Sequence, residues 1–352
     1  MSARHLTDYF KGIAILVVLI DHYAGRFAFD YYPWVAGYAF GFLGFFFIFS
    51  GYGIFLSLEK RFSSGQSRKK VLLKYFYDRA VRILPFFWIA LLLAYFLQPY
   101  YPNFWGSYPE LYLFGFPILP APGIFWFVTS IIQCYWLAPV FYYLIKKFSL
   151  KTCFIAAALA MLALLAASLA WLPDLSRLPS DDFEKFLTGF VVHQLFLGNI
   201  MLFFLGMMMP LAISRYKKVF NRKAGLVASA ILLAAVLFFT RLDDVLFDES
   251  GIVLAPLYMT TIYLFCLFAL STAPSLPLKK VFIIPGRYSY SIYLFHLSFF
   301  YLVAKTGLLV NDNPLSMLLI MILAPYYIYL CLSMEKSFTS ARVRLEAFAQ
   351  TG

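Results

Sequence analysis

Two ionisable residues lie deep inside the first apolar stretch of the chain, Asp21 and His22. The stretch follows Lys11, and eleven residues at about 1.5 Å each place His22 roughly 16 Å farther along a helix. An ionisable group at such a depth in a membrane costs several kcal/mol and therefore indicates a functional site. Because an imidazole can take a proton near neutral pH, His22 is a candidate general base.

The spacing also indicates which of these residues share a helix face. Eleven residues at about 100° each return almost to the starting angle, so Lys11 and His22 lie on one face while Asp21 points elsewhere. The alternative for His22 is a core histidine whose hydrogen bonds are satisfied by a neighbouring carbonyl or hydroxyl group. The same alternative stays open for the other deep histidines, His193 and His296.

A second cluster, Arg79 and Arg82, precedes Pro85. Two guanidinium groups three residues apart share a helix face and can both bind a phosphate, while Pro85 can kink the helix or set its start. On spacing alone, a positively charged anchor on the cytoplasmic side of a membrane is the favoured explanation of the pair.

Composition decides which solvent surrounds these groups. Of the 352 residues, 62% are hydrophobic, 21% are aromatic and 13% are charged, which excludes a water-soluble globule and a disordered chain. The net charge of +12 is distributed over short segments between apolar runs, and we interpret it as a topology signal rather than a nucleic-acid surface. The isolated cysteines indicate buried free thiols, and the first apolar run lacks the cleavage site of a signal peptide.

The apolar runs predict an all-α polytopic membrane protein with about ten transmembrane helices and both termini in the cytoplasm. With that orientation, 24 of the 29 lysines and arginines lie on the cytoplasmic side. We expect a single domain over 1–352, with a helical core at about 8–335 and a short cytoplasmic tail at 336–352. The predicted spans are 12–30, 36–58, 81–99, 123–145, 152–172, 187–213, 224–240, 252–272, 282–304 and 315–334.

The predicted outer loops differ in character. The stretch 99–122 is rich in Tyr, Pro, Phe and Trp, which predicts a folded lid or an interfacial segment. Segments 173–186 and 241–250 are acidic, and we interpret them as solvated loop surface.

Several motifs, in the same order along the chain, resemble acyltransferase family three, the integral-membrane O-acyltransferases of bacterial envelopes. The first has a basic residue, a glycine, an aliphatic run and a histidine eleven positions after the basic residue. Two departures are visible: Lys11 stands where arginine is commoner, and Ile131 stands where many members carry glutamate. The matching segments are Lys11–His22, Phe45–Gly53, Arg79–Trp88, Trp126–Pro139 and Gly286–His296.

This resemblance implies transfer of an acyl group, most often acetyl, from acetyl-CoA or another acyl-CoA to a hydroxyl of a carbohydrate or lipid-linked glycan. No metal and no nucleic acid are expected. Coenzyme A is cytoplasmic and its phosphates should dock on Arg79, Arg82 and Arg287, with Lys11 adding to the field. The pantetheine arm, roughly 15–20 Å long, would bring the thioester to His22. A histidyl acyl intermediate is an open variant.

Acceptor binding is expected at Trp126, Ser289, Tyr290 and His296. We expect a multi-pass protein of the bacterial inner membrane with its N-terminus in the cytoplasm. Aromatic belts at the membrane interface explain Trp126 equally well. Candidates for stabilising the oxyanion are Ser50, Ser130, Ser289 and Tyr290. The alternative function is a transporter or flippase for polysaccharide or lipid-linked sugar, since a deep histidine and aspartate would suit proton-coupled transport.

Overall fold

The computed structural model describes residues 2–28, 38–97, 125–175, 196–240, 249–272, 275–309 and 311–351, and every regular element in those ranges is a helix. The all-α prediction is therefore confirmed for this part of the chain. In chain order the helices are α1 Ala3–Phe27, α2 Tyr38–Phe62, α3 Arg68–Phe96, α4 Trp126–Lys147, α5 Leu150–Leu175, α6 Phe196–Arg215, α7 Lys217–Phe220, α8 Lys223–Thr240, α9 Glu249–Thr272, α10 Lys279–Arg287, α11 Ser289–Lys305 and α12 Pro314–Thr351.

Within the described ranges, three helical segments are long and apolar enough to cross a bilayer: Gly41–Phe62, Phe127–Lys147 and Pro314–Arg344. Every predicted span overlaps a helix, but the count of ten spans and the orientation of the termini stay predictions. The predicted lid at 99–122 lies outside the described residues, as does most of the two acidic loops.

The predicted spans and the observed helices differ in their boundaries. The span predicted at 282–304 is two helices, α10 and α11, separated at Tyr288, whose φ of −106° and ψ of 18° are not helical. Pro285 removes a helical N–H and Gly286 has poor helix propensity, so the sequence weakens the helix just before this break. α12 continues as a helix to Thr351 and so includes most of the predicted tail at 336–352, whose cytoplasmic location stays a prediction.

Glycines allow two pairs of helices to pack backbone against backbone. An added Cβ at Gly12 of α1 would stand 1.8 Å from the carbonyl oxygen of Phe282 in α10, and one at Gly51 of α2 would stand 2.0 Å from that of Phe203 in α6. Small residues at helix crossings are the usual means of such close packing in membranes. This close packing of α1 on α10 places Lys11, which precedes Gly12, beside the C-terminal end of α10.

Aromatic rings fill the core between α1, α2 and α9. The ring of Phe10 stacks on Phe45 and Phe49 at centroid distances of 5.7 and 6.1 Å, and Phe265 meets it edge-on at 5.2 Å. The four cysteines are buried and form no disulfide, which confirms that prediction.

Candidate active site

A cavity of about 250 Å³ lies between α1, α2, α3, α4, α10 and α11. Seven of the residues predicted for the site line it, so the structure brings together side chains that are up to 279 positions apart in the chain. Ile131 lines the same cavity. The seven predicted residues are Lys11, Ser50, Arg79, Arg82, Arg287, Ser289 and Tyr290.

Arg79 is the cavity residue whose surroundings most favour binding of an anion. Its guanidinium lies over the rings of Tyr75 and Tyr135, with 5.8 Å from Cζ to each centroid, which is within the range of a cation–π interaction. Its Nε is buried and has no hydrogen-bond partner among the described residues. An arginine held by two rings, with an unused donor beside a cavity, is therefore ready to bind an anionic group.

The backbone below Arg79 is supported by a side-chain hydrogen bond. Pro139, inside α4, has no N–H, so the carbonyl of Tyr135 lacks its helical donor. The hydroxyl of Tyr75, a residue with no exposed surface, donates to this carbonyl over 3.0 Å. The proline in the fourth motif and a tyrosine of α3 are thus parts of one structural unit beneath Arg79.

The remaining charges of the cavity include one that sequence reasoning missed. The Nε of Arg287 lies 3.6 Å from Oδ2 of Asp8, and Arg82 is exposed at the cavity rim. Asp8 precedes Lys11 by three residues, so the helical period of α1 could have indicated that the two share a face. The described lining therefore carries four cations and one carboxylate, which favours anions.

Asp78, next to Arg79, connects three helices. Its carboxylate accepts hydrogen bonds from Arg61 of α2 and Arg342 of α12, both over 2.7 Å. Burial raises the pKa of the Asp78 carboxyl, but the hydrogen bonds and charges of the two arginines outweigh burial and hold its pKa below the usual value. This ion triad fixes the start of the apolar part of α3, and with it the position of Arg79.

His22 and His296 form a direct pair, which the sequence did not predict. Nδ1 of His22 lies 2.6 Å from Nε2 of His296, and Nδ1 of His296 lies 2.6 Å from the carbonyl oxygen of Tyr293. His296 has no exposed surface, whereas His22 is only partly buried. One turn beyond His22, Nε of Arg26 donates to the hydroxyl of Tyr301 over 3.1 Å.

A family model described as an acyltransferase domain matches residues 6–333, nearly the whole chain. The chain belongs to acyltransferase family 3. Comparison with curated proteins and with solved structures gives no significant match. The family and the apolar helices together identify this protein as a membrane acyltransferase.

In this acyltransferase the histidine pair lies beside the cavity but outside its described lining. Phe127 and Tyr293 line the cavity, and their rings are 4.8 Å apart. The ring of Tyr293 is 5.6 Å from that of His296, so Tyr293 contacts both the cavity and the histidine pair. The structure thus brings the basic residues together in one cavity and the two imidazoles together behind an aromatic side chain.

The other predicted site residues of the acyltransferase are placed as follows. Ser130 is buried and does not belong to the described lining. The side chain of Trp126 and the whole of His193 lie outside the described residues. Acceptor binding by Trp126, Ser289, Tyr290 and His296 stays a prediction.

Proposed function

We propose that this membrane acyltransferase moves an acyl group, with acetyl as the first candidate, from acyl-CoA to a hydroxyl of a carbohydrate or another envelope acceptor. The observation that carries the proposal is the convergence of Lys11, Arg79, Arg82 and Arg287 on a cavity whose wall, at Tyr293, touches the histidine pair. A basic cavity suits the phosphates of coenzyme A, and a nearby imidazole suits removal of the acceptor's proton.

The cavity fits only part of the donor. Small-molecule sites typically measure roughly 300–1,000 Å³, and 250 Å³ is smaller than that. We assign the phosphate-bearing part of coenzyme A to the rim at Arg82 and Arg287, and the start of the pantetheine arm to the region of Arg79. We also place this basic cavity on the cytoplasmic side of a bacterial inner membrane.

The chemistry assigned to His22 is general base catalysis. The acceptor oxygen attacks the thioester carbonyl carbon while its proton moves to the imidazole. A C–O bond forms, the C–S bond breaks, and the proton on the imidazole passes to the departing thiolate, so that the products are the ester and coenzyme A thiol. The base is regenerated in each cycle.

This mechanism requires the thioester to pass Tyr293, because this side chain lines the cavity and its ring also contacts His296. A rotation of the Tyr293 side chain would open a path from the cavity to the histidine pair. Substituting Tyr293 by Phe keeps the ring and Tyr293→Ala removes it, so the pair of variants reports on access to the histidines.

The test is acyl transfer by the purified full-length protein. Labelled acetyl-CoA is incubated with detergent-solubilised protein and candidate glycan acceptors, and released thiol and labelled acceptor are measured. We expect His22→Ala to lower turnover by about 10²–10⁴-fold, the usual contribution of a general base, with donor affinity largely retained. His5→Gln, at the exposed start of α1, is the matched control.

Two results would contradict the proposal. If His22→Ala keeps turnover within about tenfold of the unsubstituted protein, the base assignment is wrong. If no thiol is released with any acceptor while reconstituted vesicles move a glycan, the protein is a transporter of polysaccharide or lipid-linked sugar.

A further inference from the structure

We infer that His296 is a positioning residue that fixes the tautomer of His22, so that Nε2 of His22 is the nitrogen that takes the acceptor's proton. The inference rests on the proposed function for its catalytic meaning, but the tautomer itself follows from the contacts of the two rings.

The contact with a backbone carbonyl determines which nitrogen of His296 carries the proton. A backbone carbonyl oxygen accepts hydrogen bonds and donates none. The carbonyl of Tyr293 lies 2.6 Å from Nδ1 of His296, so Nδ1 carries the hydrogen and donates it. In a neutral imidazole the other nitrogen then has a lone pair, and Nε2 of His296 is an acceptor.

The tautomer of His296 in turn determines which nitrogen of His22 carries the proton. A charged imidazole is expensive in an apolar interior, so the resting pair is neutral. Nε2 of His296 accepts, and Nδ1 of His22 lies 2.6 Å from it. Nδ1 of His22 must therefore carry the hydrogen, which leaves the lone pair of this ring on Nε2.

The ring geometry supports a strong hydrogen bond between the two imidazoles. Their planes are within 10° of each other and their centroids are 4.8 Å apart. This separation is close to the N···N distance plus one ring radius on each side, so the two nitrogens lie almost on the line that joins the centroids. The rings therefore meet edge to edge in a common plane rather than face to face, and the N–H of His22 points at the lone pair of His296.

Packing holds His296 in this orientation. The side chain has no exposed surface, and the rings of Tyr293 and Phe300 lie 5.6 and 5.9 Å from its centroid. A ring flip of His22 would turn a carbon atom toward Nε2 of His296 and lose the hydrogen bond. Both imidazoles are thus confined to one orientation.

During catalysis, His296 would stabilise the protonated form of His22. When His22 accepts the acceptor's proton on Nε2, the ring becomes positive and its Nδ1–H bond to His296 strengthens. His296 stabilises that cation and donates to the Tyr293 carbonyl at its other nitrogen. His296 therefore orients the general base His22, as a carboxylate orients the base in other enzymes.

The tautomer is measured directly by ¹⁵N NMR of the full-length protein labelled at histidine. The chain has four histidines, and single substitutions of His5, His22 and His296 assign their signals. We expect a protonated Nδ1 and an unprotonated Nε2 for His22. In His296→Leu the signals of His22 should change to a mixture of tautomers, and His5→Gln should leave them unchanged. A protonated Nε2 on His22 in the unsubstituted protein would overturn the inference.

Kinetics test the catalytic consequence separately. Glutamine places an amide oxygen near the position of the histidine Nε2, so His296→Gln keeps an acceptor for His22, while His296→Leu removes it. We expect kcat of the Leu variant to fall by about 10²-fold or more, the Gln variant to stay within about tenfold of the unsubstituted protein, and KM for acyl-CoA to change little in both. Thermal unfolding of both variants identifies simple misfolding.

The outcomes separate the two proposals. Equal kcat for folded Leu and Gln variants, or an effect on KM alone, would contradict a positioning role even if the acyl transfer is real. Absence of acyl transfer by the unsubstituted protein would remove the proposed function, while the NMR result would still decide the tautomer.

Discussion

The backbone of Asp8 occupies the space where a side chain at Gly286 would begin. A Cβ added at Gly286 would stand 1.6 Å from the carbonyl oxygen of Asp8. The two helices are therefore in direct backbone contact where α10 ends, one residue before Arg287. The same contact lets the Asp8 carboxylate reach Nε of Arg287 at 3.6 Å.

We expect Gly286→Ala to push α1 and α10 apart. The obstacle is backbone, which cannot rotate out of the way, so the cost should be at least the roughly 1–3 kcal/mol that overpacking usually causes. Thermal unfolding in detergent should show a lower midpoint. Gly53→Ala in α2 is the control, because nothing lies within 4 Å of its Cβ and alanine favours a helix. Equal midpoints for the two variants would contradict the proposed contact.

The sequence predicted part of this arrangement. The helical character of α1 and the separate motifs were readable, because they depend on local spacing. The pairing of His22 with His296 was not, since 274 residues separate them and nothing local specifies which helices meet. The break at Tyr288 was missed because the predicted span joined the apolar runs on both sides, although Pro285 and Gly286 weaken the helix just before it.

Arg79 and Arg82 should determine donor affinity. In Arg79→Ala combined with Arg82→Ala, binding of acyl-CoA should weaken by at least about tenfold, because hydrogen bonds to charged groups contribute roughly 1.5–3 kcal/mol each. The dependence of affinity on salt should also decrease. Isothermal titration at two ionic strengths measures both effects.

The control for the arginine variant replaces two other cations of α3. Lys69 and Lys70 are exposed and lie outside the lining of the cavity. Alanine at both positions should leave donor affinity nearly unchanged. If the lysine variant loses as much affinity as the arginine variant, the whole basic surface rather than the cavity binds the donor.

Asp78 should make the fold sensitive to acid. Its pKa in the folded protein is below its ordinary value of about 3.9, because the two arginines outweigh burial. The stability that it contributes is fully present above about pH 3.9 and is lost as the pH falls through the folded-state pKa. At neutral pH we expect Asp78→Asn to lower the free energy of unfolding by about 1–3 kcal/mol.

The measurement compares unfolding midpoints of the Asp78→Asn variant and the unsubstituted protein at neutral pH and below about pH 3.9. The difference should shrink on acidification, because the protonated carboxyl and the amide then both lack a charge. Arg342→Gln should show a smaller loss at neutral pH, since Arg61 still pairs with Asp78. A difference that stays constant with pH would show that the triad contributes no charge-dependent stability.

The tyrosine–proline unit under Arg79 predicts a compensating pair of substitutions. Tyr75→Phe removes the hydroxyl that donates to the carbonyl of Tyr135, and leaving a buried acceptor unpaired costs about 1–3 kcal/mol. Pro139→Ala restores an N–H that can donate to the same carbonyl. The double variant should therefore unfold at a higher temperature than Tyr75→Phe alone.

The size of the compensation distinguishes this explanation from simple loss of packing. A phenylalanine keeps the ring of Tyr75, so packing beside Arg79 is nearly unchanged and the deficit is the hydrogen bond. If Pro139→Ala changes stability by the same amount with either residue at position 75, the two sites are independent and the hydroxyl does not replace the missing N–H. A coupling of about 1 kcal/mol between the sites would show that Tyr75 satisfies the carbonyl that Pro139 leaves free.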